Sequence, residues 1–168
     1  MALESPIFRV LKPLPLPIKN GKGGGWLDRD EAVQSLKALE AFEAKGVYIF
    51  ASLFGSKLTP WYVGQAKKTF GQEVFAPDKI AKYSNAISRH GVKRAELHFI
   101  ALPTGKGPTN VTAIRKLETY LINQCSRVNN DLLNKQQTKV YVLRVQGVMN
   151  FPQGKPSVAA ASLRKMLD

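Results

Sequence analysis

The chain has 168 residues, with 25 lysines and arginines against 12 aspartates and glutamates and a formal net charge of +13. Its 44% hydrophobic content can build a core, which excludes a wholly disordered chain, and its length suits one domain rather than two. A single cysteine, Cys125, excludes an internal disulfide and a cysteine-built zinc site and points to a reducing compartment, while the charge points to a polyanionic partner.

The first 27 residues read as an N-terminal arm. Pro13-Leu14-Pro15-Leu16-Pro17 favours an extended, polyproline-like path, and Gly23-Gly24-Gly25 reads as a flexible hinge. Asp28, with Glu31 three residues on, is a capping box for a helix predicted to run to about Ala44, with Ala32, Val33, Leu36, Leu39 and Phe42 at helical spacing. Val47-Tyr48-Ile49-Phe50-Ala51 and Trp61-Tyr62-Val63-Gly64 predict two strands of an antiparallel hairpin with a turn at Phe54 to Lys57.

Pro77 suits the first turn of a helix over about Asp78 to Arg89, which Gly91 ends. Residues 95–102 read as a third strand, Val111 to about Arg127 as a strong helix, and 139–146 as a late strand. Asn150 to Pro156 reads as a linker before a short helix over Val158 to Leu167. The expected fold class is α+β: a small three-stranded antiparallel sheet flanked by helices, with an N-terminal arm (1–27), a central domain (28–146) and a C-terminal tail (147–168) that completes a strand and helix extension.

No apolar run approaches the roughly 18 residues that span a bilayer. Met1 to Pro17 lacks the ordered regions of a signal peptide, so the expectation is a cytoplasmic protein without a membrane partner. The charge is uneven: +7 of the +13 falls between Lys45 and Arg94, whereas the predicted helix over 28–44 is acidic. Affinity for nucleic acid through phosphate contacts and counterion release follows as the favoured expectation.

There is no phosphate-binding GxxxxGKS/T loop, no HExxH and no nucleophile elbow. No strand is predicted before Gly21 to Gly25, and acids follow it, so a hinge is favoured there over a phosphate cradle. His90 and His98 are read as surface or core groups, and Cys125 as a small buried hydrophobe.

Two strands bearing tyrosines, a basic helix and one helical carboxylate form a better constellation. Gly46-Val47-Tyr48 and Tyr62-Val63-Gly64, then Leu117-Glu118 in a helix and Leu132-Leu133-Asn134 after a break, resemble the ordered motifs of the GIY-YIG nuclease superfamily across residues 46–134. Taken by themselves, Tyr48 and Tyr62 could be ordinary strand tyrosines, Glu118 a solvated carboxylate and Asn134 a turn cap. The sequence departs from the family in one respect. There is no arginine between Gly64 and Arg89, where the family has one in the helix after its second motif. Lys79, with Tyr83 one turn along, is placed in that role, with Thr69 to Ala76 as an insertion and Arg89 as the alternative occupant.

The resemblance implies metal-dependent phosphodiester hydrolysis, with DNA favoured over RNA as partner. Tyr48 would be the general base, which at neutral pH requires cations to depress a hydroxyl of ordinary pKa about 10. Lys67, Lys68, Lys79 and Lys82 would supply that field, and Lys67, Lys68, Lys82 and Arg89 would contact nucleic acid. Glu118 would hold one Mg²⁺ (or Mn²⁺), Tyr62 would bond the phosphate or water, and Asn134 would orient the site. A lysine lacks the bidentate fork of a guanidinium, so a decayed, purely binding module on the same scaffold stands as the alternative.

Overall fold

A computed structural model describes residues 6–134, 144–149 and 156–168. The expected α+β class holds, with a larger sheet than expected. Its strands are β1 (Ile7–Val10), β2 (Leu14–Pro15), β5 (Gly46–Phe54), β6 (Lys57–Ala66), β7 (Ala95–Ala101) and β8 (Arg144–Val145). Five of them run in the order β6-β5-β7-β1-β8, and the short β2 also pairs with β7. All pairings are antiparallel except that of β1 with β8. The three strands expected from sequence are therefore the β6-β5-β7 portion of a wider sheet.

The N-terminal segment is extended, as its prolines suggest, but it is built into the sheet rather than free. Phe8, Val10, Leu11, Leu14 and Leu16 are all buried, and that apolar set outweighs the proline spacing. Pro15 lies opposite Glu96 in a two-residue pairing, where a missing N–H costs little. The glycine cluster is not a hinge. β3 (Ile18–Gly21) and β4 (Gly24–Leu27) form a separate hairpin, in which Gly24 takes a φ of +107°.

Helix α1 (Arg29–Lys37) starts where the capping box places it, with the Asp28 carboxylate accepting the Glu31 N–H at 3.1 Å. The Glu31 side chain pairs with Lys19 at 2.7 Å. The helix stops seven residues short of Ala44, because Leu39 is extended and a 3₁₀ turn over Glu40–Glu43 follows. That break lets both Leu36 and Ala41 reach the core. α2 (Phe70–Glu73) is one turn capped by Thr69. α3 (Pro77–His90) begins on its proline and ends at Gly91, whose φ of +61° is the left-handed cap that glycine adopts freely.

α4 (Val111–Val128) and α5 (Val158–Leu167) complete the fold. Of the late strand expected over 139–146, residues 139–143 lie outside the described residues, as do 150–155 of the expected linker. Side chains alternate across the sheet into two apolar clusters. Tyr48, Phe50, Leu97 and Phe99 join α1, α2 and α3 on one face. Val47, Ile49, Val63 and Ile100 join α4 and α5 on the other. Among the described residues no helix is long and apolar enough to cross a membrane.

Candidate functional site

The β5–β6 hairpin positions the two tyrosines. Tyr48 lies opposite Gly64 and Phe50 opposite Tyr62; the register then shifts, so that Ala51 pairs with Pro60 and Trp61 is the extra residue of a bulge. The bulge turns Trp61 and Tyr62 to the same face, that of Tyr48 and α3. Tyr48 and Tyr62 approach with ring centroids 6.1 Å apart, and Tyr62 and Tyr83 at 6.3 Å. Both motif glycines have steric reasons. A Cβ at position 64 would collide with the Tyr48 ring and hydroxyl, and one at Gly46, where φ is +152°, would collide with the Ile100 carbonyl.

Tyr48 is fully buried, and its hydroxyl has no hydrogen-bond partner among the described residues. Burial drives that hydroxyl far above the ordinary tyrosine range, and the neighbouring Tyr83 and Tyr62 push the same way. The depression expected from a lysine field is therefore not what its surroundings produce. Tyr83 is likewise fully buried, and its hydroxyl donates to the Val74 carbonyl at 2.7 Å. Its ring stacks on Phe50 with centroids 4.7 Å apart. Tyr83 is thus held in the packing beneath Tyr62, with its proton given to a backbone carbonyl.

The lysines gather at Tyr62 instead. Lys79 Nζ stands 5.8 Å from the Tyr62 ring centroid and Lys82 Nζ 5.3 Å, both within cation–π range. Burial tends to lower the Lys79 pKa, but the Asp78 carboxylate 2.8 Å away and the Tyr62 hydroxyl more than offset it, and the ammonium is raised. Arg89 is exposed in the last turn of α3, ten residues from Lys79 and so roughly 15 Å along the helix. It does not share the Lys79 position.

Glu118 comes from α4, on the opposite face of the sheet, and is half-buried. Burial raises its carboxyl above the ordinary value of 4.5, while Lys79, Lys67 and Arg115 pull it back. Lys79 belongs to α3 and Lys67 follows the last residue of β6, so the carboxylate feels cations carried by two other elements. Beside it, the N–H groups of Lys67 and Lys68 both donate to the Glu73 carboxylate, at 3.3 and 3.0 Å. The exposed side chains of these two lysines are thus carried on a pinned turn.

Asn134 is placed by its backbone partner. Its Oδ1 accepts the Val63 N–H at 3.1 Å and its Nδ2 donates to the Val63 carbonyl, so both amide ends are engaged between Tyr62 and Gly64. Asn129 donates to the Pro60 carbonyl at 2.8 Å, and the Leu133 N–H to the Trp61 carbonyl at 2.8 Å. Residues 129–134 therefore run along the outer edge of β6.

Three features escaped the sequence reading: Glu73 beneath Lys67-Lys68, Asp78 on Lys79, and the Trp61–His90 stack with centroids 4.2 Å apart. The first had a visible signal, since Glu73 ends 29 residues free of acid. His98 is buried with Nε2 3.0 Å from Glu96 Oε2, and Cys125 is buried on α4, its thiol pushed up to about 12 by burial.

Among the described residues no three or more histidine, cysteine, aspartate and glutamate side chains gather into a metal cage. Glu118 offers one hard oxygen donor set whose burial leaves its ionised form under-compensated. That suits an ion which keeps most of its waters, as Mg²⁺ does, and not a fully protein-ligated one. Compared with protein-family models, with curated proteins and with solved structures, the chain gives no match in any of the three.

Proposed function

We propose that the chain is a divalent-metal-dependent endonuclease of the GIY-YIG type, hydrolysing phosphodiester bonds in nucleic acid, with DNA favoured. One observation carries this reading: Lys79 and Lys82 stand 5.8 and 5.3 Å from the Tyr62 ring centroid, which sets two cations on the second tyrosine motif. In this reading Lys79 and Lys82 balance charge on the phosphoryl oxygens, and Tyr62 bonds the phosphate or the attacking water. Tyr48 accepts that water's proton, which requires its hydroxyl to be ionised against the pull of its burial. Asn134 is a positioning residue, since it acts through the Val63 peptide. Glu118 would hold the ion, Mg²⁺ or Mn²⁺, whose chemistry when bound is to polarise phosphate oxygen and neutralise the leaving group.

The test is cleavage of single-stranded, duplex and branched DNA, and of RNA, with Mg²⁺ or Mn²⁺. Cleavage that vanishes in Glu118→Ala, with the fold retained, supports the reading; a protein that cuts none of these overturns it.

A second reading, a binding module without catalysis, has two specific observations in its favour. The guanidinium fork is replaced by Lys79, which is already paired with Asp78, and the Tyr48 hydroxyl is pushed away from ionisation. It expects salt-sensitive binding with no cleavage under either metal.

A further inference from the structure

The tip of the β5–β6 hairpin carries an aromatic ring that packing does not account for. Phe54 is 89% exposed, opposite Lys57, in a tight turn whose Gly55 has a φ of +59°. The Leu53 N–H bonds to the Arg94 carbonyl at 2.8 Å, which brings exposed Lys93 and Arg94 beside the tip. On its other flank, Lys57 lines a groove with Arg127 and Lys165, where Asp168 is the one acid. No acid occurs between Glu43 and Glu73, or between Asp78 and Glu96. The ring therefore stands in a cationic setting.

Its direction relates it to the site. Side chains at 50, 52 and 54 share a sheet face, and the Trp61 indole donating to Ser52 Oγ at 2.9 Å confirms which face that is. Phe50 lies opposite Tyr62 and Phe54 is four residues further on, so the ring projects roughly 13 Å from the Tyr62 position along the same face. With bases about 3.4 Å apart along a stacked strand, and further apart once they unstack, that is at most about four nucleotides.

We propose that Phe54 is a base-stacking wedge, and that the substrate is a nucleic acid with an unpaired or unstacked base within about four nucleotides of the scissile phosphate. This rests on the nuclease reading above. Base faces in an intact duplex are covered by their neighbours, so a lone ring gains most at a flap, junction or single strand. Lys57, Lys93 and Arg94 hold the adjoining phosphates. A second copy of this chain is a poor occupant, because it brings a further +13 to a cationic tip.

The experiment is metal-free fluorescence anisotropy with labelled duplex, single strand and flapped duplex, using the wild type, Phe54→Ala, Phe54→Trp and Lys57→Ala. Phe54→Ala is expected to weaken flap and single-strand binding about tenfold and to leave duplex binding nearly unchanged, with Phe54→Trp restoring it. Lys57→Ala should weaken all three alike and lower the salt slope by about one. Because Phe54 is exposed, the unfolding midpoint of Phe54→Ala should match the wild type. If Phe54→Ala binds all three like the wild type, the wedge is overturned and the nuclease reading stands on its own cleavage test. A wild type that binds none of the three overturns both. Self-association relieved by Phe54→Ala would assign the tip to a second copy and overturn the wedge.

Discussion

Tyr48 fills the space that a side chain at Gly64 would need: the two face each other across β5 and β6, and a Cβ on Gly64 would collide with the tyrosine's ring and hydroxyl. The first motif's tyrosine and the second motif's glycine are thus one steric unit. Gly64→Ala is expected to destabilise the fold by about 1–3 kcal/mol, as overpacking does. Placed in a Tyr48→Leu background, the same change should cost distinctly less. Urea unfolding of the four proteins in a double-mutant cycle measures the coupling, and strict additivity would contradict it.

Among the described residues the buried Tyr48 hydroxyl meets the geometry of no hydrogen bond, with only the Tyr83 and Tyr62 side chains near it, so removing it should help the fold. Tyr48→Phe is expected to raise stability by about 1 kcal/mol, the cost of an unsatisfied buried hydroxyl. On the nuclease reading the same variant loses cleavage. Thermal unfolding and a cleavage assay on one preparation check the two arms, and a Tm below that of the wild type would show the hydroxyl to be satisfied.

Glu118 has a folded-state carboxyl raised above its ordinary value. Above 4.5 the unfolded chain releases this proton while the folded chain still holds it. Stability from this group therefore falls as pH rises through that window, and the penalty is complete above the folded value. Glu118→Gln should flatten this fall in urea midpoints followed from pH 4 to about pH 7. At about pH 7, well above the ordinary carboxylate range, added Mg²⁺ should raise the wild-type midpoint and leave that of Glu118→Gln unmoved. Equal metal responses in the two proteins would remove Glu118 as the ligand.

Lys79 stands against the Tyr62 ring, and Asp78 pairs with its ammonium. Lys79→Ala is expected to reduce the cleavage rate by about 10²–10³, the scale seen when one charge-stabilising donor is lost. Lys79→Arg should retain or increase activity, and Asp78→Asn should not reduce it. Single-turnover cleavage rates test all three, and a Lys79→Ala enzyme as fast as the wild type would dismiss the lysine from the site.

Elements whose signals are local were readable. Pro77 and Gly91 bracket α3, Asp28 opens α1, and the apolar stripe of α4 marks nearly its full length. What escaped depends on partners distant in the chain. The prolines of residues 13–17 resemble a free arm until β7 appears beside them. The bulge at Trp61 is set by the pairing of two strands, so the shared face of Trp61 and Tyr62 has no sequence period. The site shows the same division. Glycine and tyrosine positions could be named from their tripeptides, but the burial that pushes the Tyr48 hydroxyl upward and the Val74 carbonyl that takes the Tyr83 proton arise only on packing.

Residues 129–134, running along the outer edge of β6, leave that strand without an open row of backbone groups where Asn129, Leu133 and Asn134 bind it. A second molecule cannot extend the sheet there, which guards the edge nearest the basic surface against strand-to-strand aggregation. The same hem ties the end of α4 to the tyrosine strand. Glu118 and Tyr62, on elements from opposite faces, are thereby kept in a fixed relation by three side-chain and backbone anchors rather than by the sheet alone.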